Sequence, residues 1–208
     1  MTDNALYTLW LILSGKVGSP RTHRLICAMS AKEAYHATRA ELISLIGEKD
    51  AAYFLDKDLS QAQTILDDCR KKSIDVICYH DEDYPASLRE IDDPPAALFC
   101  LGQMPSQELP TMGIVGTRKC SSAAAGIAAS FSCSLALSGF QIVSGMANGI
   151  DTYAHKGSLV KGNPSFAVLG CGVDVIYPKK NATLYGILKE HGGLISEYLP
   201  GTPPMAAN

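Results

Sequence analysis

The chain has 208 residues, 47% of them hydrophobic and 19% charged, with a formal net charge of -3. That composition excludes a disordered chain and allows a sizeable core, in one domain or two. The net charge hides a split: residues 1 to 110 carry 11 basic against 17 acidic side chains, a balance of -6, while residues 111 to 208 carry 7 against 4, a balance of +3. A polyanion would prefer the second half. Seven cysteines contain no C-x-x-C pair and leave an odd one over, which speaks for reduced thiols in a cytosol rather than a zinc site or a disulfide framework. The apolar run Leu6 to Leu13 has no basic region before it and is too short and interrupted to span a bilayer. The expectation is a cytoplasmic protein without membrane contact.

Residues 5 to 72 read as helical. Leu6, Leu9, Trp10 and Leu13 recur at i, i+3, i+4 and i+7, which predicts a helix. Gly15-Lys16-Val17-Gly18-Ser19-Pro20 stops it, and Ser19-Pro20 can cap a second helix bearing Leu25, Ile26 and Met29. Helix, glycine turn, helix fits either a SAM-like helical bundle or a helix-hairpin-helix whose turn amides touch DNA phosphates. Further helical patterns follow at Ala31 to Ala37, Arg39 to Ile46 and Ser60 to Lys72, with Ser60 as an N-cap. Arg70-Lys71-Lys72 complements the carbonyl end of that last helix. Ile74 to Tyr79 reads as a strand, the acids Asp81-Glu82-Asp83 as a solvated loop, and Ala97 to Leu101 as a strand ending at Gly102. The polar stretch 103–111 is a connecting segment. These readings place a helical domain at 1–72 and an α/β domain at 73–208.

In the second part three apolar runs each end in a glycine-bearing turn. They are Met112 to Val115 before Gly116-Thr117-Arg118-Lys119, Gln141 to Val143 before Ser144-Gly145, and Ser165 to Leu169 before Gly170-Cys171-Gly172. Leu194-Ile195-Ser196 supplies a fourth. Short apolar runs alternating with helical segments predict a Rossmann-like parallel sheet with helices on both sides and with the glycine turns at the carboxyl ends of its strands, where ligands of such sheets bind. A main chain that approaches closely, followed at once by a helix, turns unpaired N–H groups toward an anion. Phosphate is the natural guest, and Arg118, Lys119, Lys179 and Lys180 would add full charges. His155 stands alone, without a nucleophile or ligand set, and reads as a structural hydrogen-bonding group. Asp151 reads as a capping residue at the start of its helix.

Four blocks closely resemble the DprA/Smf family of DNA-processing proteins of natural transformation. They are Ile114-Val115-Gly116-Thr117-Arg118, Val143 to Asp151 with His155, Ala167 to Pro178, and Leu194 to Tyr198 with Gly201. The resemblance implies single-stranded DNA binding, protection of incoming DNA and loading of the RecA recombinase, with no catalysis, cofactor or metal, and a homodimer in the family. It implies contacts to DNA phosphates from Gly116, Thr117, Arg118, Ser144, Gly145 and Lys179, with Lys119 and Lys180 adding long-range attraction. Arg118 and Lys179 are the matched contacts. Two positions depart from the pattern: Asn148 stands where the family has Arg or Lys, and Ala125 replaces a tyrosine before Gly126. After Pro203-Pro204 the family continues through an Arg-Asn-Arg block, further strands and often a winged helix. The resemblance thus covers only the leading part of a family member, and a sheet ending at its fourth strand would expose an apolar edge that favours self-association.

The competing reading is a small-nucleotide sensor or a nucleotide-cleaving enzyme on the same superfold. The Pro-Gly-Gly-x-Gly-Thr loop of such enzymes is absent, and Gly170-Cys171-Gly172 lacks the third glycine of a dinucleotide fingerprint, Val175 standing in its place.

Overall fold

The structure is a computed structural model that describes residues 3–205. It divides into two compact units, Met1–Leu98 and Phe99–Asn208.

The first unit is built from α1 (Asp3–Gly15), α2 (Pro20–Ala28), α3 (Ala31–His36), α4 (Arg39–Ile46), α5 (Glu48–Ala51), a 3₁₀ turn (Ala52–Phe54), α6 (Ser60–Lys72), β1 (Asp75–Cys78) and α7 (Ala86–Arg89). α1 ends where Lys16 and Gly18 both take positive φ. Ser19 then caps α2 by accepting the Thr22 N–H, with Pro20 at the first helical position. Ser30–Glu33 and Thr38–Glu41 form capping boxes at the starts of α3 and α4. The expected cap at Ser60 is not formed. Ser60 is itself the first helical residue, and the Asp58 carboxylate accepts both its N–H and its hydroxyl, at 2.9 and 2.7 Å. The core gathers Leu9, Leu25, Leu42, Phe54 and Leu66, and α1 packs on α3 and α6. In the acidic loop, Glu82 and Asp83 are exposed. Asp81 instead holds the turn, accepting from the Cys78 N–H and the Asn4 amide.

The second unit carries β2 (Ala97–Gly102), β3 (Thr111–Gly113), α8 (Ser122–Leu137), β4 (Gln141–Ser144), α9 (Ile150–Leu159), β5 (Ser165–Val168), α10 (Ala182–Glu190) and β6 (Gly192–Ser196). Its strands lie side by side in the order β2-β6-β5-β4-β3. β3, β4, β5 and β6 run parallel, and β2 joins β6 antiparallel. Each β–α–β step moves one place in the same direction, so right-handed crossovers put α8, α9 and α10 on one face of the sheet rather than on both. Ile142, Ala136 and Ala154 form the core on that side. α8 and α9 approach closely because Gly157 lies against the Ala129 carbonyl, and Ser132 Oγ donates to Ala154 O at 2.5 Å. Ser121 caps α8, accepting the Ala124 N–H at 3.2 Å.

Candidate nucleic-acid interface

The parallel strands deliver three loops to one edge of the sheet, and two buried side chains lock them together. Asp151, 5% exposed, opens α9. Its Oδ1 accepts the Gly116 N–H from the loop after β3, and its Oδ2 accepts the Ala147 N–H from the loop after β4, both at 3.3 Å. It therefore ties two loops to each other, beyond the helix-capping role its position suggests. Close approach explains two glycines here. A Cβ on Gly145 would lie 2.8 Å from Asp151 Oδ2. Gly149 has φ +85 and would meet the Thr117 carbonyl, which accepts the Ile150 N–H.

Asn181 supplies the second lock. Its Nδ2 donates to Met146 O at 2.8 Å and to Thr152 Oγ1 at 2.9 Å, while Thr152 Oγ1 donates to Ala147 O at 2.8 Å. Met146, 1% exposed, sits at φ 60, a left-handed conformation for a non-glycine residue, and its carbonyl is fixed by this amide. The segment before α10 is thereby joined to the loop after β4.

These locks frame a cavity of about 260 Å³ whose walls include Arg118, Gly145, Asn148, Gly170, Tyr177 and Pro178. Arg118 is exposed and makes no ion pair among the described residues. The sequence-predicted residues separate into three groups. Arg118 and Gly145 line the cavity, and Gly116, Thr117 and Lys119 are exposed beside Arg118 in one turn. Thr117 Oγ1 shapes that turn by donating to Lys119 O and accepting the Lys119 N–H. Lys179 and Lys180 are exposed in a 3₁₀ turn directly after Pro178, and Lys180 faces a separate groove between α9 and α10. Ser144 is 2% exposed and its hydroxyl donates to Ile114 O at 2.6 Å, so its side chain belongs to the frame. The Gly116 amide is likewise engaged by Asp151 and not presented outward.

Sequence reasoning assigned no role to Tyr177, which is half exposed on the cavity wall. The available signal was an aromatic directly before Pro178-Lys179-Lys180. Asn148, where the resemblance expects a cation, lies on the same wall. Cys171 also borders the cavity, and burial raises its pKa and keeps the thiol protonated.

His155 lies outside this cavity, fully buried. Ser165 Oγ donates to Ile142 O at 3.0 Å. The Ser165 oxygen therefore accepts from His155 Nδ1–H at 2.8 Å, which fixes the tautomer and leaves the buried Nε2 without a partner among the described residues. Burial pushes its pKa down to about 4, so the ring is neutral.

Parallel β/α units whose glycine-bearing loops meet at the strand carboxyl ends, around a guanidinium and an exposed ring, define a Rossmann-like binding domain. Residues 75–208 match the family model for DNA recombination-mediator protein A. The chain belongs to this family, as the four sequence blocks imply. It is 38% identical over 147 residues to the protein Smf of Synechocystis sp., covering 69% of this chain and 37% of that protein. It is 37% identical over 146 residues to the DNA processing protein DprA of Streptococcus pneumoniae, covering 68% and 45%. The chain thus spans less than half the length of these curated relatives. The X-ray structure of DNA processing protein A from Streptococcus pneumoniae superposes with a TM-score of 0.80 at 27% identity, over 100% of this chain and 71% of that one. A structure concerned with the single-stranded DNA binding mode of DNA processing protein A from Helicobacter pylori gives 0.58 at 27% identity, over 64% and 60%. Among the described residues no helix is long and apolar enough to cross a membrane.

Proposed function

We propose that this chain binds single-stranded DNA at the loop rim, protects incoming DNA and passes it to the RecA recombinase, acting as a binding protein without a catalytic step and working in the cytoplasm, with self-association into a homodimer. Arg118 and Lys179 hold phosphates, Gly145 permits close approach, and Lys119 and Lys180 add attraction. Gly116, Thr117 and Ser144 shape the turns that present these groups. Tyr177 stacks on a base. Family membership supports the reading, and one observation carries it: an exposed, unpaired guanidinium in the mouth of a cavity whose loops are locked before any ligand arrives. Preorganised donors of this kind hold a backbone without reading its sequence.

The test is oligo-dT binding across a salt series. Arg118→Ala is expected to weaken affinity about tenfold or more, as loss of one charge-assisted contact predicts, and to reduce the salt slope by about 0.7. Unchanged affinity and slope would refute the site.

The second reading is a small-nucleotide sensor on the same superfold, although the cavity, at about 260 Å³, falls just short of the about 300–1,000 Å³ usual for small-molecule pockets. Among the described residues those bordering it include no carboxylate or histidine, and nucleotide cleavage would need a base from elsewhere. A thermal shift that responds to mononucleotides and not to oligo-dT would favour the sensor.

A further inference from the structure

Beside the rim, α9 and α10 leave between them an open groove of about 520 Å³. Lys156 and Lys180 stand along it, and neither forms an ion pair among the described residues. Leu159, Val160, Leu184 and Ile187 supply its apolar surface, with Val160 and Ile187 exposed. One turn before Lys156, the exposed Tyr153 ring lies 5.6 Å from the Lys156 ammonium. Among the described residues no acidic one lines the groove; along α10 the next carboxylate is Glu190, one turn beyond Ile187. Asn181 belongs to this groove's wall, while its amide holds Met146 O and the adjacent Ala147 borders the rim cavity. The two concavities therefore share a wall, and the chain runs from Tyr177 and Pro178 in one to Lys180 in the other.

We infer that this groove is a second subsite for the same single strand, which leaves the rim past Lys180 and continues between α9 and α10 with a phosphate at Lys156. The inference rests on the rim reading given above. Ammonium groups above an apolar floor, next to an exposed ring, match the alternation of phosphate and base in an unpaired strand. An amphipathic peptide would use the apolar floor but leave two unpaired lysines unanswered. From Lys180 in its 3₁₀ turn to Ile187 on α10 the chain advances about 10 Å, room for about three nucleotides at a stacked spacing near 3.4 Å.

The experiment compares oligo-dT of about five nucleotides with oligo-dT of about fifteen, lengths near the two ends of common single-strand site sizes. The unaltered chain, Lys156→Ala, Arg118→Ala and Lys161→Ala are each titrated with salt. Lys156 is exposed, so its loss leaves the core intact, and Lys161, outside the groove, controls for net charge. Lys156→Ala is expected to weaken binding of the longer oligomer about fivefold and lower its salt slope by about 0.7, while the shorter oligomer and the Lys161→Ala control are unchanged. Equal behaviour of Lys156→Ala and Lys161→Ala at both lengths overturns the subsite and leaves the groove to a protein partner. Equal weakening at both lengths also overturns it, because the groove would not then be an extension. Failure of the rim itself has a different signature: Arg118→Ala would leave both lengths unaffected.

Discussion

In the first unit charged side chains find one another, and in the second they do not. Arg21 and Arg24 both reach Asp50, Arg39 reaches Glu48, Arg70 reaches Asp67 and Lys72 reaches Asp68. Lys57 folds back over the Trp10 ring at 4.6 Å and donates to Ala34 O, and the lost solvation lowers its pKa. In the second unit none of the seven lysine and arginine side chains, Arg118 among them, enters an ion pair among the described residues. Two of its acids answer backbone amides instead, Asp151 for Gly116 and Ala147 and Asp174 for Gly201. A cation without an internal partner keeps its field for a ligand, which is why a modest net charge can coexist with a polyanion site.

The sharpest way to test that contrast is to remove the carboxylate that organises the rim. Asp151→Asn keeps the size but turns one acceptor into an N–H donor facing another N–H, at a buried position. Stability is expected to fall by about 3 kcal/mol, the cost of breaking charge-assisted bonds and leaving an amide unpaired, as read by urea denaturation. Oligo-dT affinity should fall with it although no cation has been touched. Full affinity in a destabilised protein would show that the rim does not depend on its frame.

A smaller effect is expected from the neutral imidazole of the same unit. The folded pKa of His155, about 4, lies below the ordinary value of 6.5, so the unfolded chain takes up the proton first as pH falls. The associated stability is complete above pH 6.5 and is lost as pH falls through that value toward the folded pKa. Between pH 7 and pH 5 the loss is about 2 kcal/mol. His155→Asn can retain the donor to Ser165 while removing the titration, and should flatten the stability difference between those two pH values. An equally steep acid loss in the variant would place the titrating group elsewhere.

How much of this was legible depends on the range of the interaction responsible. Ser19, Ser121 and the glycine-bearing turns act within a few residues, and the helices and strands around them lie where the pattern puts them. Ser60 shows the limit even there, since Asp58, two residues earlier, takes the N–H and hydroxyl of Ser60 itself and makes it the first helical residue instead of the cap. Arg118 and Gly145 could be assigned to one rim because parallel strands bring successive turns to one edge. Ser144 could not be set apart from them, because its burial depends on Ile114, 30 residues away. The locks from Asp151 to Gly116 and from Asn181 to Met146 each span 35 residues, and no local pattern announces them. The boundary between units 1–98 and 99–208 falls inside β2, where composition gives no break.

The smallest expected effect would break the contrast between units if it failed. Arg39 and Glu48 form an ion pair at 3.0 Å with both side chains largely exposed. Solvent screening and the entropy of two long side chains leave such a pair about 0–1 kcal/mol, so Arg39→Ala should barely move the urea midpoint. Because that guanidinium already has a partner, its loss should also leave the salt slope of oligo-dT binding where it was. Arg118→Ala removes the same charge and should lower the slope by about 0.7. Two arginines equal in formal charge would then differ because one is already answered within the fold, and equal slopes for both variants would mean that net charge alone draws the strand.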